Sequence, residues 1–254
     1  FTFIVNKTKV TAMGTATSPA KVQQAVYSVL QGVSDTKYQI QIDGTAYSFT
    51  TNSTTTSTET IRNGVRNAIP SLSGISITNI GRSSFAIVKN SGTLTVTASD
   101  GFGDDASQVV KDRVQNFSDL PVPAINNQVV QVTGDATNGF DDFYVKFIQA
   151  DNLWEETVAP NTPTTIDKDT MPHILIRTAD GNFRFTQVDG SSYTISGTSF
   201  NVPEWGQRIC GDINSVSDPT FIGRTLNDIF FHRNRLGFLA DENVIMSRSG
   251  EFYE

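Results

Sequence analysis

The chain has 254 residues, 37% of them hydrophobic and 18% charged, which is enough to bury a substantial core and excludes the charge-rich, aromatic-poor composition of a disordered chain. A formal net charge of -7 argues against a broad phosphate-binding surface, which needs clustered Lys and Arg. One cysteine, Cys210, and two histidines exclude an internal disulfide and the usual cysteine-based zinc sites.

The chain opens on Phe1-Thr2-Phe3-Ile4-Val5, which reads as the inside of a strand, and stops at Phe252-Tyr253-Glu254 without a polar tail. This reading predicts an excised part of a longer polypeptide. No stretch is apolar for long enough to span a bilayer. After Ser18-Pro19, the spacing of Val22, Ala25, Val26, Val29 and Leu30 predicts a helix that Gly32 stops. Alternation at Tyr38, Ile40 and Ile42, then Asp43-Gly44 and Ala46 to Thr50, predicts a tight hairpin. Residues 52–57 read as a solvated loop. Thr56 and Glu59 have capping-box spacing, and Ile61, Val65, Ala68 and Ile69 form one stripe of a second helix ended by Pro70.

Strands follow near residues 75–80, 85–88 and 94–97, then a short helix between Ser107 and Val114. Asp119-Leu120-Pro121-Val122-Pro123 marks a connection. Beyond Gln128 the pattern is almost wholly β, with strands at 129–132, 143–148, 153–158, 174–176 and 183–188 and a turn at Asp180-Gly181. Short apolar runs at 229–231, 236–239 and 244–246 close the chain. The fold class read from this is an α+β amino-terminal domain (1–117) of two helices on a small antiparallel sheet, a mainly-β antiparallel domain (118–206), and the first strands of a propeller-like β region (207–254).

The block from Asp228 to Tyr253, with Asp228-Ile229-Phe230-Phe231-His232-Arg233-Asn234-Arg235-Leu236-Gly237-Phe238-Leu239 at its centre, resembles the shared block of the T7-like tail tubular protein B, or tail nozzle, family. Phe140 to Phe147, Trp154-Glu155-Glu156-Thr157-Val158-Ala159-Pro160, Thr170 to Arg177, Phe3-Ile4-Val5-Asn6 and Phe117 to Pro121 are similar to further family signatures in the same order. Residues 52–57 and 191–203 look like variable insertions. The resemblance implies a non-enzymatic structural component of a short-tailed bacteriophage tail, located in the virion and assembled in the host cytoplasm. Further implied are a homo-oligomer (a hexamer in the intact tail), contact with the adaptor ring of tail tubular protein A, seating of tail fibres, and passage of double-stranded DNA through the ring. No cofactor is implied.

Read without the family, the residues offer few reactive constellations. His232 and His173 lack a second ligand at a known spacing and read as structural histidines, and Cys210 lacks an activating base. The acidic turns at 100–105 and 135–142 lack the spacing of a calcium loop. Glu155-Glu156 and Asp241-Glu242 are paired carboxylates, but neighbours on a strand point to opposite faces and do not converge on one sugar bond. Arg224, Arg233, Arg235 and Arg248 are interleaved with Asp228, Asp241, Glu242 and Glu251. That pattern predicts salt bridges within the fold or across a subunit boundary, with nucleic-acid contact as the other reading. Two rival functions remain at this level: a carbohydrate-binding tail module using Trp205 or Tyr193 as its platform, and a cell-wall or capsule glycan hydrolase.

Overall fold

The computed structural model describes residues 2–134, 142–178, 180–195 and 197–254. The described residues are mostly antiparallel strand, with one α-helix among them. The chain forms two compact units that interleave along the sequence. One comprises Phe1–Pro19, Asn161–Ile209 and Val216–Glu254, and the other Ala20–Pro160 and Cys210–Ser215.

The first strand, β1 (Thr2–Ile4), belongs to the first of these units, and its partner comes far later in the chain. The next element is β2 (Gln24–Val29), where the sequence spacing predicted a helix. The reason lies in its surroundings. Ala25, Tyr27 and Val29 enter one core cluster and Val26 another, so both faces of the strand are buried. A strand covered on both sides becomes a continuous apolar run, and three-four spacing inside such a run does not distinguish it from a buried helix. Ser18 caps no helix; its Oγ accepts a hydrogen bond from the Thr162 backbone N–H at 3.0 Å. Gly32 is not a helix stop either. A Cβ there would overlap the Thr56 carbonyl, so the residue serves a close backbone approach.

The predicted hairpin is present as β3 (Lys37–Ile42) and β4 (Thr45–Thr50), turning through Asp43 (φ 48°) and Gly44 (φ 84°). Asp43 also ties this turn to a distant strand end: Lys89 Nζ donates to Oδ2 at 2.7 Å and the Thr95 N–H to Oδ1 at 3.0 Å. The Lys89 hydrogen bond, helped by that from Thr95, holds the Asp43 carboxyl below the usual carboxylate range. A depressed folded-state pKa contributes stability that is present above the unfolded value and is lost as pH falls through the folded one. We therefore expect the urea midpoint to fall on acidification below about pH 4. Lys89→Met should lower the midpoint at neutral pH and flatten this acid dependence; parallel profiles for the two proteins would contradict the assignment.

Helix α1 (Thr58–Ala68) follows, capped by Ser57 rather than by the expected Thr56, with Ser57 Oγ accepting from the Thr60 N–H at 3.4 Å. Ile61, Val65 and Ile69 are buried as the stripe predicted, whereas Ala68, the fourth residue of that stripe, is exposed. Arg62 is buried beside them, its Nε donating to the Arg82 carbonyl at 3.1 Å. Strands β5 (Ile75–Ile80), β6 (Ser84–Lys89), β7 (Val96–Asp100), β8 (Ser107–Val110) and β9 (Arg113–Val114) come next. The short helix expected between Ser107 and Val114 is thus two strands. The Asp100 carboxylate accepts from the Ala106 and Ser107 N–H groups, and β8 then pairs with β2 through Val26 and Val110, leaving no backbone free to coil. Instead of two helices on one sheet, a single helix packs near two sheets, β5-β6-β2-β8 and β4-β3-β7, around Tyr27, Tyr38, Ile40, Ile61, Phe85 and Leu94.

A third sheet of this unit, β12-β11-β10-β9, is made by β10 (Val129–Val132), β11 (Phe143–Ile148) and β12 (Leu153–Thr157) with β9. Its core joins Val26, Val110, Leu120, Ala124, Val130, Phe147 and Trp154, and Trp154 Nε1 donates to the Pro121 carbonyl at 3.0 Å. One hydrophobic cluster therefore runs straight through the connection at which the sequence suggested a division after residue 117.

The other unit is completed by β13 (His173–Arg177), β14 (Phe183–Thr186), β15 (Ser192–Ile195), β16 (Thr198–Asn201), β17 (Asp228–His232), β18 (Arg235–Ala240) and β19 (Asn243–Met246). They form the sheet β1-β13-β14, the hairpin β15-β16 and the meander β17-β18-β19. Its core collects Met171, Ile174, Val188, Val202, Trp205, Leu226, Leu236, Phe238 and Ala240.

Candidate functional site

The meander β17-β18-β19 carries the most distinctive stretch of the sequence. Its central strand β18 turns Leu236, Phe238 and Ala240 into the core, and Gly237 lies beneath the Phe230 ring, where any side chain would collide with it. The β17–β18 turn is made by Arg233 (φ 46°) and Asn234 (φ 59°), both left-handed, the geometry that matches the twist of paired strands. The β18–β19 turn begins at Asp241 (φ 49°). Behind the meander Trp205 meets Phe238 and Tyr253 at ring-centroid distances of 5.9 and 5.5 Å, and Phe3 meets Phe231 and Tyr253 at 5.7 and 5.8 Å. Burial in this shell pushes the Tyr253 hydroxyl up to about 12.

The arginines singled out by the sequence behave differently from one another. Arg224 pairs with Asp241, and Arg248 with Glu254 at 3.0 Å and Glu251 at 3.7 Å. Arg235 donates to the Ser247 carbonyl at 2.8 Å, a backbone staple rather than an ion pair. Asp228 faces Lys7 at 4.0 Å. Among the described residues Arg233 and Glu242 form no ion pair, and both sit exposed in turns. The pairs that do form are exposed, so each contributes at most about 1 kcal/mol.

The other candidates disperse. His173 donates from Nδ1 to the Met171 carbonyl at 3.1 Å and stacks on Phe185, while His232 ends β17 exposed to solvent. Cys210 is half-buried. Glu155 and Glu156 are successive residues of β12, whereas Asp241-Glu242 lies in a turn and not on a strand. Asp100 spends its carboxylate on the N–H groups of Phe102, Ala106 and Ser107. The acidic turn read at 135–142 lies outside the described residues except for Asp142, which accepts from Gln131 Nε2 at 2.7 Å. Among the described residues no three His, Cys, Asp or Glu side chains converge on a metal-sized space. Among the described residues no helix is long and apolar enough to cross a membrane.

Of the suggested sugar platforms Trp205 is enclosed, whereas Tyr193 is half-buried with one ring face occupied. Trp205 is only 6% exposed, and the Arg184 guanidinium sits 3.2 Å from the centroid of the Tyr193 ring. Several other aromatics are open, the two most exposed being Phe183 and Phe185 on β14, which lie in a region the sequence marked only as a strand. Alternation of apolar residues with Arg184 was their signal, but the sequence alone does not say which face of a strand is covered.

A protein-family model described as bacteriophage nozzle protein matches residues 1–254. The tail tubular protein gp12 of Escherichia phage T7 is 36% identical over 177 residues, which are 69% of this chain and 20% of that relative. The chain thus matches about a fifth of the length of this curated relative.

Proposed function

The chain belongs to the bacteriophage nozzle protein family, and from that premise we propose that it is a structural subunit of a short-tailed phage tail, built into the virion after assembly in the host cytoplasm. The observation that carries the reading is the family match over residues 1–254. In this reading several copies, six in the intact tail, form a ring beneath the adaptor ring. The ring continues the conduit for double-stranded DNA and helps seat the tail fibres. Its work is mechanical: subunit contacts hold and then release a channel, with packing and ion pairs rearranged and no bond chemistry.

The mild overall acidity suits a wall past which DNA slides without adhering. Around the meander, Arg224–Asp241 and Arg248–Glu254 brace the chain, and the exposed Arg233 and Glu242 are available for neighbouring subunits. The antiparallel order β17-β18-β19 fits the opening strands of a propeller-like region. An electron-microscopy reconstruction of the particle tests the reading. We expect this fold repeated around the tail axis in density continuous with the channel; density for it in the head, or its absence from purified particles, would refute the assignment.

A further inference from the structure

The sheet β1-β13-β14 buries one face through Phe3, Ile174 and Ile176 and leaves the other open. On the open face Phe183 is 66% exposed, Phe185 59% and Ile4 41%. Arg177, the cross-strand neighbour of Phe183, is exposed and forms no ion pair among the described residues. The strand that carries the two phenylalanines is also a sheet edge, so its outer N–H and C=O groups stand ready to pair. With roughly 150–250 Å² for a phenylalanine, the two rings alone offer on the order of 200–300 Å² of apolar surface. That is the size of the dry centre of an interface burying about 800 Å² per partner.

A surface of complementary chemistry exists on the same chain. Strand β12 is likewise a sheet edge. Its Leu153 is 41% exposed, and Glu155 and Glu156 are exposed and form no ion pair among the described residues. Leu153 and Glu155 lie two residues apart on one face, the same spacing of about 6.8 Å that separates Phe183 from Phe185. Most of the excess negative charge of the chain falls in the unit that contains β12, so two such units repel one another. The open face beside β14, where Arg177 of the adjoining strand forms no ion pair among the described residues, is the better match for that unit.

We propose that the β14 edge is an interface with a second copy of this chain, Phe183 and Phe185 packing on Leu153 of the neighbour and Arg177 pairing with its Glu155. The two surfaces differ, so the contact is head-to-tail and passes from copy to copy until a ring closes. The proposal rests on the tail-subunit reading and adds the contact that builds the ring.

The test uses the full-length protein in purified particles, with a photo-reactive benzophenone amino acid replacing Phe185. Illumination should give a dimer-sized band on a denaturing gel whose cross-linked peptide contains Leu153 to Glu156. Arg177→Glu should lower the yield of that band roughly tenfold, a change of about 1.4 kcal/mol, and Glu155→Arg in the same chain should restore it. Particles that contain the protein but give cross-links to other proteins, or none, overturn the interface while leaving the tail assignment intact. Particles that lack the protein overturn both.

Discussion

Phe85→Ala is expected to remove about 3–5 kcal/mol of stability, a large part of the 5–15 kcal/mol typical of a folded domain. Phe85 is fully buried at the centre of the unit made by β2 to β12 and stacks on Tyr27 with ring centroids 4.9 Å apart and planes 24° apart. The loss combines the transfer of the ring from water, the cavity left in a close-packed interior, and the stacking itself. Tyr27 makes the site unforgiving. It is itself fully buried on a strand whose residues are all buried, so the ring cannot swing outward to fill the gap without dragging β2, and the same burial pushes its hydroxyl far above the ordinary phenol value. Urea denaturation followed by tyrosine and tryptophan fluorescence measures the effect, and Phe85→Leu should recover more than half of it. A midpoint for Phe85→Ala within experimental error of the parent would show that these two rings do not anchor the core.

Arg208→Ala is expected to cost about 2–4 kcal/mol and to open the long irregular segment before β17 to proteases. The Arg208 side chain is only 6% exposed. Its guanidinium donates to Asp218 at 2.5 Å, to the Val216 carbonyl, and through Nε to the Pro163 carbonyl at 3.3 Å. Residues 203–227 contain isolated bridges but no extended strand, so backbone pairing contributes little to their order. One planar, multi-donor cation joins three points of the chain in its place. Arg208→Lys should rescue poorly, because an ammonium is a point charge and cannot reproduce the fork. The checks are the urea midpoint and the rate of limited proteolysis within 203–227. An unchanged cleavage pattern would mean that the segment is held by other groups.

The local alternations and turns were readable from the residues. Asp43-Gly44 gave the β3–β4 hairpin, Ile61, Val65 and Ile69 gave α1, and the apolar runs between 229 and 246 gave the meander, because each is set by neighbours in sequence and by turn chemistry. Family membership was readable for a related reason. Asp228 to Tyr253 combines a two-residue left-handed turn, a glycine under an aromatic ring and a buried central strand, a combination that tolerates few substitutions. The same legibility did not extend to β2, β8 or β9, which looked helical.

What the sequence by itself determined about this protein was the order of most strands in its β-rich second half, though not the hairpin β15-β16, which lies where it suggested a variable insertion, and the kinship of the whole chain. Tertiary structure alone decided that residues 24–29 form a strand, that β1 pairs with β13 across most of the chain, and that Phe183 and Phe185 stay open while Trp205 is enclosed. The physical reason is common to all three. Strand pairing and the covering of a face are satisfied by residues distant in sequence, and an apolar residue carries no mark of which partner will bury it.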